Sequence, residues 1–290
     1  MAGQTLSQVR ALLDEAGLAP RHRYGQNFLI DLNLMRKLPA LAGVQPGDVV
    51  LEVGPGTGSL TELLLDAGAR VVAVEIDFGL AGLLQQRLGG HPDFTLVVGD
   101  ALDGKHALNP TMLEALAARQ RQSPAALRLA ANLPYQIATP LLIELLLCAD
   151  PRFDRLVCTI QREVGERFCA EPRRADYGPV SVVGQSLARV HVEATLPAAA
   201  FWPRPKVESA FVTFAPLSPD ERDVRNPRDF ASFVRLHFQQ RRKTLRGAAR
   251  SGPDADALPI ACDRLGISTT ARPEELSPAQ WRALYRACRP

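Results

Sequence analysis

The sequence has no pair of cysteines or histidines at the spacing of a metal site. Its 290 residues include five cysteines without a C-x-x-C pair and five histidines without an H-x₃₋₅-H pair. These absences argue against a structural zinc site and against the disulfide framework of a small secreted domain. We therefore expect no metal cofactor and a reducing, cytoplasmic location.

Long apolar runs are also missing. Uncharged apolar stretches such as residues 145–149 and 197–202 are far shorter than the roughly 18 residues needed to cross a bilayer. Residues 1–20 carry Arg10, Asp14 and Glu15 within a helical pattern, so we expect neither a membrane span nor a secretory leader. Hydrophobic residues at 46% and charged residues at 22% are typical of a globular chain, whose length predicts about two domains.

Acidic residues are scarce in the C-terminal quarter. Residues 218–290 hold 14 Lys and Arg against 9 Asp and Glu, whereas residues 1–217 hold 20 against 22. The intervening stretch 216–227 is rich in Pro, Asp and Arg, which is the composition of a linker. This distribution favours a polyanionic partner bound by residues 218–290. A solvated arginine-rich surface is the alternative.

Short β-branched runs alternate with helical patterns through the body of the chain. Strands are predicted over residues 49–53, 71–75, 95–98, 127–131, 156–160, 191–195 and 207–214. Helices are predicted over residues 5–16, 60–67, 80–88, 112–122, 140–148, 230–249 and 280–287. This alternation predicts an α/β fold with a doubly wound parallel sheet, followed by a small C-terminal helical domain.

A glycine-rich turn directly follows the strand predicted over residues 49–53. Gly54, Gly56 and Gly58 permit a tight turn and let backbone N–H groups approach a ligand at a helix N-terminus. Glu75 ends the next strand, where an acidic residue typically holds the two ribose hydroxyls of an adenosine cofactor. The G-x-G-x-G spacing differs from the dinucleotide fingerprint, and the sequence has no G-K-[ST] triphosphate motif. The alternative is a structural turn, with Glu75 capping a helix.

Residues 52–58 resemble the first motif of S-adenosylmethionine-dependent methyltransferases. The resemblance implies a Rossmann-like methyltransferase fold, with S-adenosylmethionine as cofactor and S-adenosylhomocysteine as product. It also implies that Glu75 holds the ribose and that Asp100 lies beside the adenine amino group. The alternative for Asp100 is a helix N-cap.

Asn132, Leu133, Pro134 and Tyr135 follow the strand predicted over residues 127–131. The exocyclic amine of adenine is a poor nucleophile, because its lone pair is delocalised into the ring. Acceptors aimed at its N–H groups favour the pyramidal geometry that frees the lone pair. The Asn132 side-chain oxygen and the Leu133 carbonyl are two such acceptors, while Pro134 restricts the direction of the carbonyl and Tyr135 offers a stacking face. An ordinary turn is the alternative.

Together with this turn, residues 24–29 (Tyr-Gly-Gln-Asn-Phe-Leu) resemble the rRNA adenine N6-dimethyltransferases. Residues 201–209 (Phe-Trp-Pro-Arg-Pro-Lys-Val-Glu-Ser) and 241–245 (Arg-Arg-Lys-Thr-Leu) narrow the resemblance to the small-subunit (16S) type, the KsgA family. It implies four methyl transfers onto the N6 amines of two adjacent adenosines in a hairpin near the 3′ end of 16S rRNA, within an immature small ribosomal subunit. Residues 1–20 form an N-terminal helical extension outside the resemblance.

The resemblance also implies the site residues. Cofactor contacts are expected from Asn27, Leu29, Gly54, Gly56, Glu75, Asp100 and Asn132. The target pocket is expected from Asn132, Leu133, Pro134, Tyr135 and Phe201. A base splayed out of its loop would be held between the rings of Tyr135 and Phe201. A core phenylalanine is the alternative for Phe201.

The segment from residue 230 to residue 253 has no acidic side chain and is rich in arginine. Arg242, Arg246 and Arg250 are spaced four apart and would share one face of the predicted helix. Such a stripe suits a phosphate backbone, so we expect rRNA contacts from Arg241, Arg242, Lys243, Arg246 and Arg250. A solvated helix face is the alternative.

Three other functions share parts of this pattern. A resistance-type 23S rRNA adenine dimethyltransferase shares the glycine-rich turn and the Asn-Leu-Pro-Tyr pattern, but not the motifs at 201–209 and 241–245. A non-catalytic nucleic-acid-binding protein on this fold would lose Asn132 or Tyr135, and both are intact. A small-molecule methyltransferase has no reason to carry a basic helical domain. We expect a monomer in which residues 1–217 bind cofactor and target base and residues 218–290 bind rRNA.

Overall fold

The computed structural model describes residues 3–104, 106–122, 125–239, 243–249 and 253–289. Strands in these segments are β1 Phe28–Leu29, β2 Val49–Val53, β3 Arg70–Glu75, β4 Phe94–Val98, β5 Leu127–Asn132, β6 Arg155–Gln161, β7 Ala188–Leu196, β8 Phe201–Trp202 and β9 Ser209–Pro216. Helices in the N-terminal half are α1 Leu6–Glu15, α2 Leu32–Met35, α3 Lys37–Ala42, α4 Ser59–Asp66, α5 Phe78–Leu88, α6 Pro110–Gln122 and α7 Tyr135–Leu147. Those that follow are α8 Arg162–Cys169, α9 Pro179–Leu187, α10 Pro219–Arg222, α11 Pro227–Phe238, α12 Leu245–Ala249, α13 Ala257–Leu265 and α14 Pro278–Cys288.

Within the described residues, the main sheet has the strand order β4-β3-β2-β5-β6-β9-β7. Strands β2 to β6 pair in parallel, and β9 runs antiparallel to β6. The expected α/β fold with a largely parallel sheet is therefore confirmed. The strand order reverses between β2 and β5, and in such sheets ligands bind at the carboxyl ends of the strands beside this switch point. The glycine-rich turn follows β2 there, and Asn132 ends β5.

The central strands are almost entirely buried because helices cover both faces of a parallel sheet. Every residue of β2 is buried, and so are the last five residues of β3. A run of this kind shows no alternation, so its β-branched composition and the glycines that end it identify it as a strand. The observed bounds of β2 coincide with the predicted ones.

The chain divides into two compact units. The first comprises residues up to Gly165 together with His191–Ala215, and the second comprises Glu166–Val190 together with residues from Pro216 onwards. The first unit ends at Ala215, two residues before the domain boundary expected at residue 217. Glu166–Val190 precedes that boundary in sequence but belongs to the second unit. The second unit holds 18 Lys and Arg against 12 Asp and Glu, and the first holds 16 against 19. The separation of charge is thus sharper than the linear division at residue 217 indicated.

In the second unit, an aromatic core joins α11 to α14. The Phe233 ring meets Trp281 edge-on with centroids 6.0 Å apart, and Phe230 meets Tyr285 at 5.4 Å. Ser277 caps α14, because its hydroxyl accepts a hydrogen bond of 3.2 Å from the Gln280 backbone N–H. These helices form the small helical region that the C-terminal pattern predicted.

Three local expectations need correction. Residues 230–249 do not form one helix: α11 ends at Phe238, and the N–H groups of Leu245 and Arg246 donate to carbonyls of Ala271 and Thr269, which are remote in sequence. Helix α7 begins at Tyr135 instead of residue 140, since Pro140 is accommodated inside it. The predicted linker contains the short helix α10. No helix in the described part of the chain is long and apolar enough to span a membrane.

Candidate active site

The glycine-rich turn lies between β2 and α4. Gly54, Gly56 and Gly58 have φ values of 73°, 61° and 86°, in the left-handed region that favours glycine. A Cβ on Gly56 would lie 2.7 Å from Cε1 of Phe28, and one on Gly54 would lie 3.2 Å from Cδ of Pro134. Backbone conformation and close neighbours therefore both require glycine in this turn.

Glu75, at the end of β3, turns its carboxylate toward the glycine-rich turn. Its Oε2 accepts a hydrogen bond of 3.1 Å from the Gly56 N–H, and its Oε1 accepts one of 2.9 Å from the Asp77 N–H. Burial nevertheless raises the pKa of Glu75 to about 7, since desolvation outweighs these two bonds. The helix-capping alternative for Glu75 does not hold, because Asp77 is the residue that caps α5.

Asp100 follows β4 and is exposed. Its Oδ1 accepts a hydrogen bond of 3.0 Å from the Leu102 N–H, and its backbone carbonyl accepts one of 2.7 Å from Nδ2 of Asn109. The next helix, α6, begins at Pro110, so Asp100 does not cap it. The side chain is held in a local turn with its second carboxylate oxygen available to a ligand.

Asn132 is the last residue of β5, and both ends of its amide have partners. Nδ2 donates a hydrogen bond of 2.8 Å to the Asn27 carbonyl, and Oδ1 accepts one from the Thr159 hydroxyl. The Leu133 N–H donates at 3.1 Å to the Thr159 carbonyl. Pro134 then has a φ of −57° and immediately precedes α7. The whole turn is thus positioned by neighbours from two other segments of the chain.

Tyr135, the first residue of α7, is half-buried. Its hydroxyl lies 2.7 Å from the hydroxyl oxygen of Ser209, at hydrogen-bonding distance. Burial raises the pKa of the Tyr135 phenol above its ordinary value. Ser209 is the last residue of the motif at 201–209, so that motif reaches the site through its serine.

These features line one cavity in the first unit, with about 810 Å³ of space that includes the part open to solvent. The predicted site residues that line it are Asn27, Gly54, Gly56, Glu75, Asp100, Asn132, Leu133, Pro134 and Tyr135. Left-handed glycines and a buried carboxylate with spare acceptor capacity fit the methionine and ribose portions of S-adenosylmethionine. The residues present therefore fit this cofactor.

Two predicted site residues do not line this cavity, although Leu29 lines a second pocket together with Gly54 and Asn132. Leu29 and Phe201 face each other in the antiparallel pair of β1 and β8, with exposures of only 4% and 2%. Both belong to the hydrophobic core, and neither lines the 810 Å³ cavity. Pairing of β1 with β8 places Phe201 in the core cluster in this structure, and its role as a second wall of the target pocket stays a prediction.

The basic segment is described only in part. Lys243 and Arg246 are exposed, and Arg246 lies on α12. Arg241, Arg242 and Arg250 lie outside the described residues. The stripe predicted from Arg242, Arg246 and Arg250 therefore includes two residues that are not described. RNA binding by these five side chains stays a prediction.

Sequence reasoning missed several residues that hold the site together. Thr159 touches Asn132, and Phe28 packs on Gly56. Asp77 accepts hydrogen bonds from Arg21 at 3.1 Å and from Nε2 of Gln26 at 3.2 Å, which fastens the segment around Asn27 over the cavity. Gln26 and Phe28 lie in the recognised motif at residues 24–29, and Thr159 lies on a predicted strand, but no pattern in the sequence indicated these contacts.

The N-terminal extension also reaches the glycine-rich turn. The Gln4 side chain donates to the Thr57 carbonyl at 3.1 Å and accepts from the Thr57 hydroxyl at 2.7 Å, while its backbone N–H donates to Ser59 at 2.8 Å. Behind it, Val9 and Leu13 of α1 pack in a cluster with α5. Residues that lie outside the recognised motifs thus fix the conformation of the turn.

A parallel sheet with a glycine-rich turn at its switch point, a buried carboxylate at the end of the next strand and an Asn-Leu-Pro-Tyr turn on the same cavity define an S-adenosylmethionine-dependent methyltransferase. The family model for ribosomal RNA adenine dimethylases matches residues 17–288. The chain therefore belongs to the ribosomal RNA adenine dimethylase family, as the resemblance in its motifs predicted.

Individual relatives agree with this assignment. The chain is 39% identical to a ribosomal RNA small subunit methyltransferase A from Magnetococcus marinus, over 96% of this chain and 95% of that one. It is 41% identical to the protein of the same name from Anaeromyxobacter dehalogenans, over 96% of each. A solved dimethyladenosine transferase from Plasmodium falciparum has the same fold, with a TM-score of 0.67 and 22% identity over 88% of this chain and 94% of that one.

Proposed function

We propose that this protein dimethylates the N6 amines of two adjacent adenosines in a hairpin near the 3′ end of 16S rRNA, in the cytoplasm and on an immature small ribosomal subunit. One observation carries the proposal. The Asn-Leu-Pro-Tyr turn from Asn132 to Tyr135 and the cofactor-type residues Gly54, Gly56 and Glu75 line the same cavity. The names of the relatives add that small-subunit RNA is the substrate.

Residues of the chain hold the cofactor as follows. Glu75 accepts hydrogen bonds from the ribose hydroxyls, and Asp100 accepts one from the adenine amino group. The glycine-rich turn and the segment around Asn27 enclose the methionine portion, because both lie at the cavity wall. When bound, S-adenosylmethionine supplies a methyl group that leaves its electron pair on sulfur.

Two oxygen atoms of the chain activate the target amine. In the first transfer, Asn132 Oδ1 and the Leu133 carbonyl accept hydrogen bonds from the two N–H groups of N6. In the second transfer, one of these oxygens accepts from the N–H that remains. These bonds direct the lone pair of N6 at the methyl carbon. The lone pair forms the new C–N bond, and the resulting ammonium loses a proton to water. Holding the amine in line contributes up to roughly 7–11 kcal/mol to the lowering of the barrier. No general base with a shifted pKa is needed.

The target base stacks on Tyr135, whose hydroxyl is held by Ser209 at 2.7 Å. Stacking on one aromatic ring is worth about 1–3 kcal/mol per base. Outside the cavity, the basic second unit binds the rRNA backbone, and the protein acts as a monomer. Of the five side chains predicted to bind RNA, the structure describes Lys243 and Arg246, and both are exposed.

The deciding experiment supplies purified protein and S-adenosylmethionine to small ribosomal subunits that lack the modification. Mass spectrometry of the digested 16S rRNA should show two adjacent N6,N6-dimethyladenosines. Large subunits serve as the second substrate, since a resistance-type enzyme would methylate 23S rRNA instead. Methylation of 23S rRNA alone, or cofactor binding without methylation of either RNA, would refute the proposal.

A further inference from the structure

Thr159 lies on β6 directly opposite Asn132 on β5. Its side chain is fully buried, and it contacts the Asn-Leu-Pro-Tyr turn twice. The Thr159 hydroxyl donates to Asn132 Oδ1, and the Thr159 carbonyl accepts from the Leu133 N–H at 3.1 Å. One residue therefore holds both of the residues that supply acceptors to the target amine.

We propose that Thr159 is a positioning residue that aims the Asn132 amide oxygen at the target amine. The inference rests on the proposed function of Asn132, and it adds a specific contribution from a side chain that lies behind the site. Thr159 itself touches neither the cofactor nor the target base in this arrangement.

The hydrogen-bonding capacities of the amide support this role. A carbonyl oxygen can only accept, so the 2.8 Å contact with the Asn27 carbonyl requires Nδ2 on that side of the amide. Oδ1 must then face Thr159, whose hydroxyl can donate or accept and here donates. An amide oxygen has two lone pairs, and Thr159 uses one of them. The other remains for the N–H of the target amine.

Removal of the hydroxyl would leave the amide held at one end only. The terminal torsion of asparagine has a broad energy profile, so an amide with one partner samples more orientations. Activation of N6 depends on the direction of the acceptor, whereas in the described part of the chain the Thr159 hydroxyl and carbonyl hydrogen-bond to Asn132 and Leu133 and not to Glu75 or the glycine-rich turn. The loss should consequently fall on turnover and leave cofactor affinity unchanged.

The test uses Thr159→Val, which keeps the shape and removes the hydroxyl, and Thr159→Ser, which keeps the hydroxyl and removes the methyl group. Thr213→Val is the matched control, because the Thr213 hydroxyl is also a buried donor on the same sheet, with its 2.7 Å bond to Glu193. Single-turnover methylation of unmodified small subunits, the Kd for S-adenosylmethionine by calorimetry and the thermal midpoint are measured for each protein.

We expect Thr159→Val to lower the methylation rate about fivefold to tenfold, the effect of losing one hydrogen bond, with a Kd for S-adenosylmethionine within twofold of the parent. Thr159→Ser should restore the rate while its thermal midpoint falls. Thr213→Val should leave the rate unchanged. If Thr159→Val does not fold, Thr159→Ala against Thr159→Ser gives the same comparison, since these two variants differ only in the hydroxyl.

Asn132→Ala separates failure of this inference from failure of the proposed function. If Asn132→Ala abolishes turnover and Thr159→Val matches Thr213→Val, Thr159 is only structural and the inference is wrong. A cofactor Kd that rises in step with the loss of rate would also overturn it. If Asn132→Ala itself retains turnover, the proposed function of the Asn-Leu-Pro-Tyr turn is wrong.

Discussion

The backbone N–H of Gly56 donates a hydrogen bond of 3.1 Å to Oε2 of Glu75, which joins the glycine-rich turn to the end of the neighbouring strand. Glu75 is only 3% exposed, and burial raises its pKa to about 7. The carboxylate that would hold the cofactor ribose is therefore kept in an environment that disfavours its charge. Burial of Glu75 therefore affects both the free energy of unfolding and the affinity for the cofactor, and both quantities can be measured against pH.

Stability without cofactor should fall as pH rises from about 4.5 to about 7. The folded state keeps the Glu75 proton up to a pH of about 7, while the unfolded chain loses it near the ordinary glutamate pKa of 4.5. The folded state thus binds more protons in this window, and the free energy of unfolding decreases with pH, by about 3 kcal/mol from this group. Urea unfolding at several pH values should show a flatter profile for Glu75→Gln than for the parent.

Cofactor affinity should have the opposite dependence on pH. The ionised carboxylate is the stronger acceptor for ribose hydroxyls, so the affinity of the parent for S-adenosylmethionine should rise between about pH 6 and pH 8. Glu75→Gln should bind at least tenfold more weakly at the upper end and show little change over this range. Parallel profiles for the two proteins would show that Glu75 does not titrate as described.

Gly56→Ala should impair cofactor binding through Phe28. The new Cβ would lie 2.7 Å from the Phe28 ring, which must move, and the residue would keep a φ of 61°. We expect a loss of at least tenfold in affinity for S-adenosylmethionine, measured by calorimetry. Gly17→Ala is the control, because Gly17 has a φ of 64° and a Cβ added there would meet nothing within 4 Å. It should lose about 1–2 kcal/mol of stability and no cofactor affinity.

Gln4→Ala should weaken cofactor binding from outside the cavity. It removes both side-chain bonds to Thr57 and leaves the Thr57 hydroxyl without the acceptor that it has in the structure. A buried donor left unsatisfied costs about 1–3 kcal/mol, and the freed turn should bind S-adenosylmethionine several-fold more weakly. Gln8→Ala is the matched control, since exposed Gln8 bonds only the Thr5 N-cap of α1 in the structure. Equal effects of the two variants on affinity would contradict this account.

Asn132→Ala should separate catalysis from RNA binding. Its amide lies in the cavity of the first unit and is not among the residues predicted to bind the rRNA backbone, so affinity for small subunits should stay within about twofold. Turnover should fall by at least two orders of magnitude, because the acceptor for the amine is removed. Filter binding and single-turnover methylation give the two quantities, and an equal loss of both would mean that Asn132 serves RNA binding.

Lys243→Ala combined with Arg246→Ala should weaken RNA binding in a salt-dependent way. Each phosphate interaction that the double variant removes should reduce the slope of log affinity against log salt by about 0.7–0.9. Both side chains are exposed, so folding should be unaffected. Arg264→Ala, an exposed arginine on α13 outside the predicted set, is the control and should leave the slope unchanged. An unchanged slope in the double variant would exclude both cations from the RNA surface.

Much of the site was predictable because it follows strands that are recognisable locally. Runs of mostly buried apolar residues end at Gly54, Glu75 and Asn132, and parallel strands bring their carboxyl ends to one edge of the sheet. The pairing of β1 with β8, in which Leu29 and Phe201 are buried, was not predicted, because strands of two residues have no periodicity to detect. The break after Phe238 was missed because Leu245 and Arg246 bond remote carbonyls instead of those four residues earlier.

The sequence by itself determined the strands of the parallel sheet, the glycine-rich turn that follows β2 and the positions of Glu75 and Asn132 at the ends of their strands. Spacing, residue type and hydrophobic pattern are sufficient for these, because each depends on neighbours along the chain. Only the tertiary structure decided which residues hold that chemistry in place. Thr159 meets Asn132 through strand register, and Gln4 meets Thr57 across 53 residues. Such contacts depend on how the chain folds back on itself, and no local pattern encodes them.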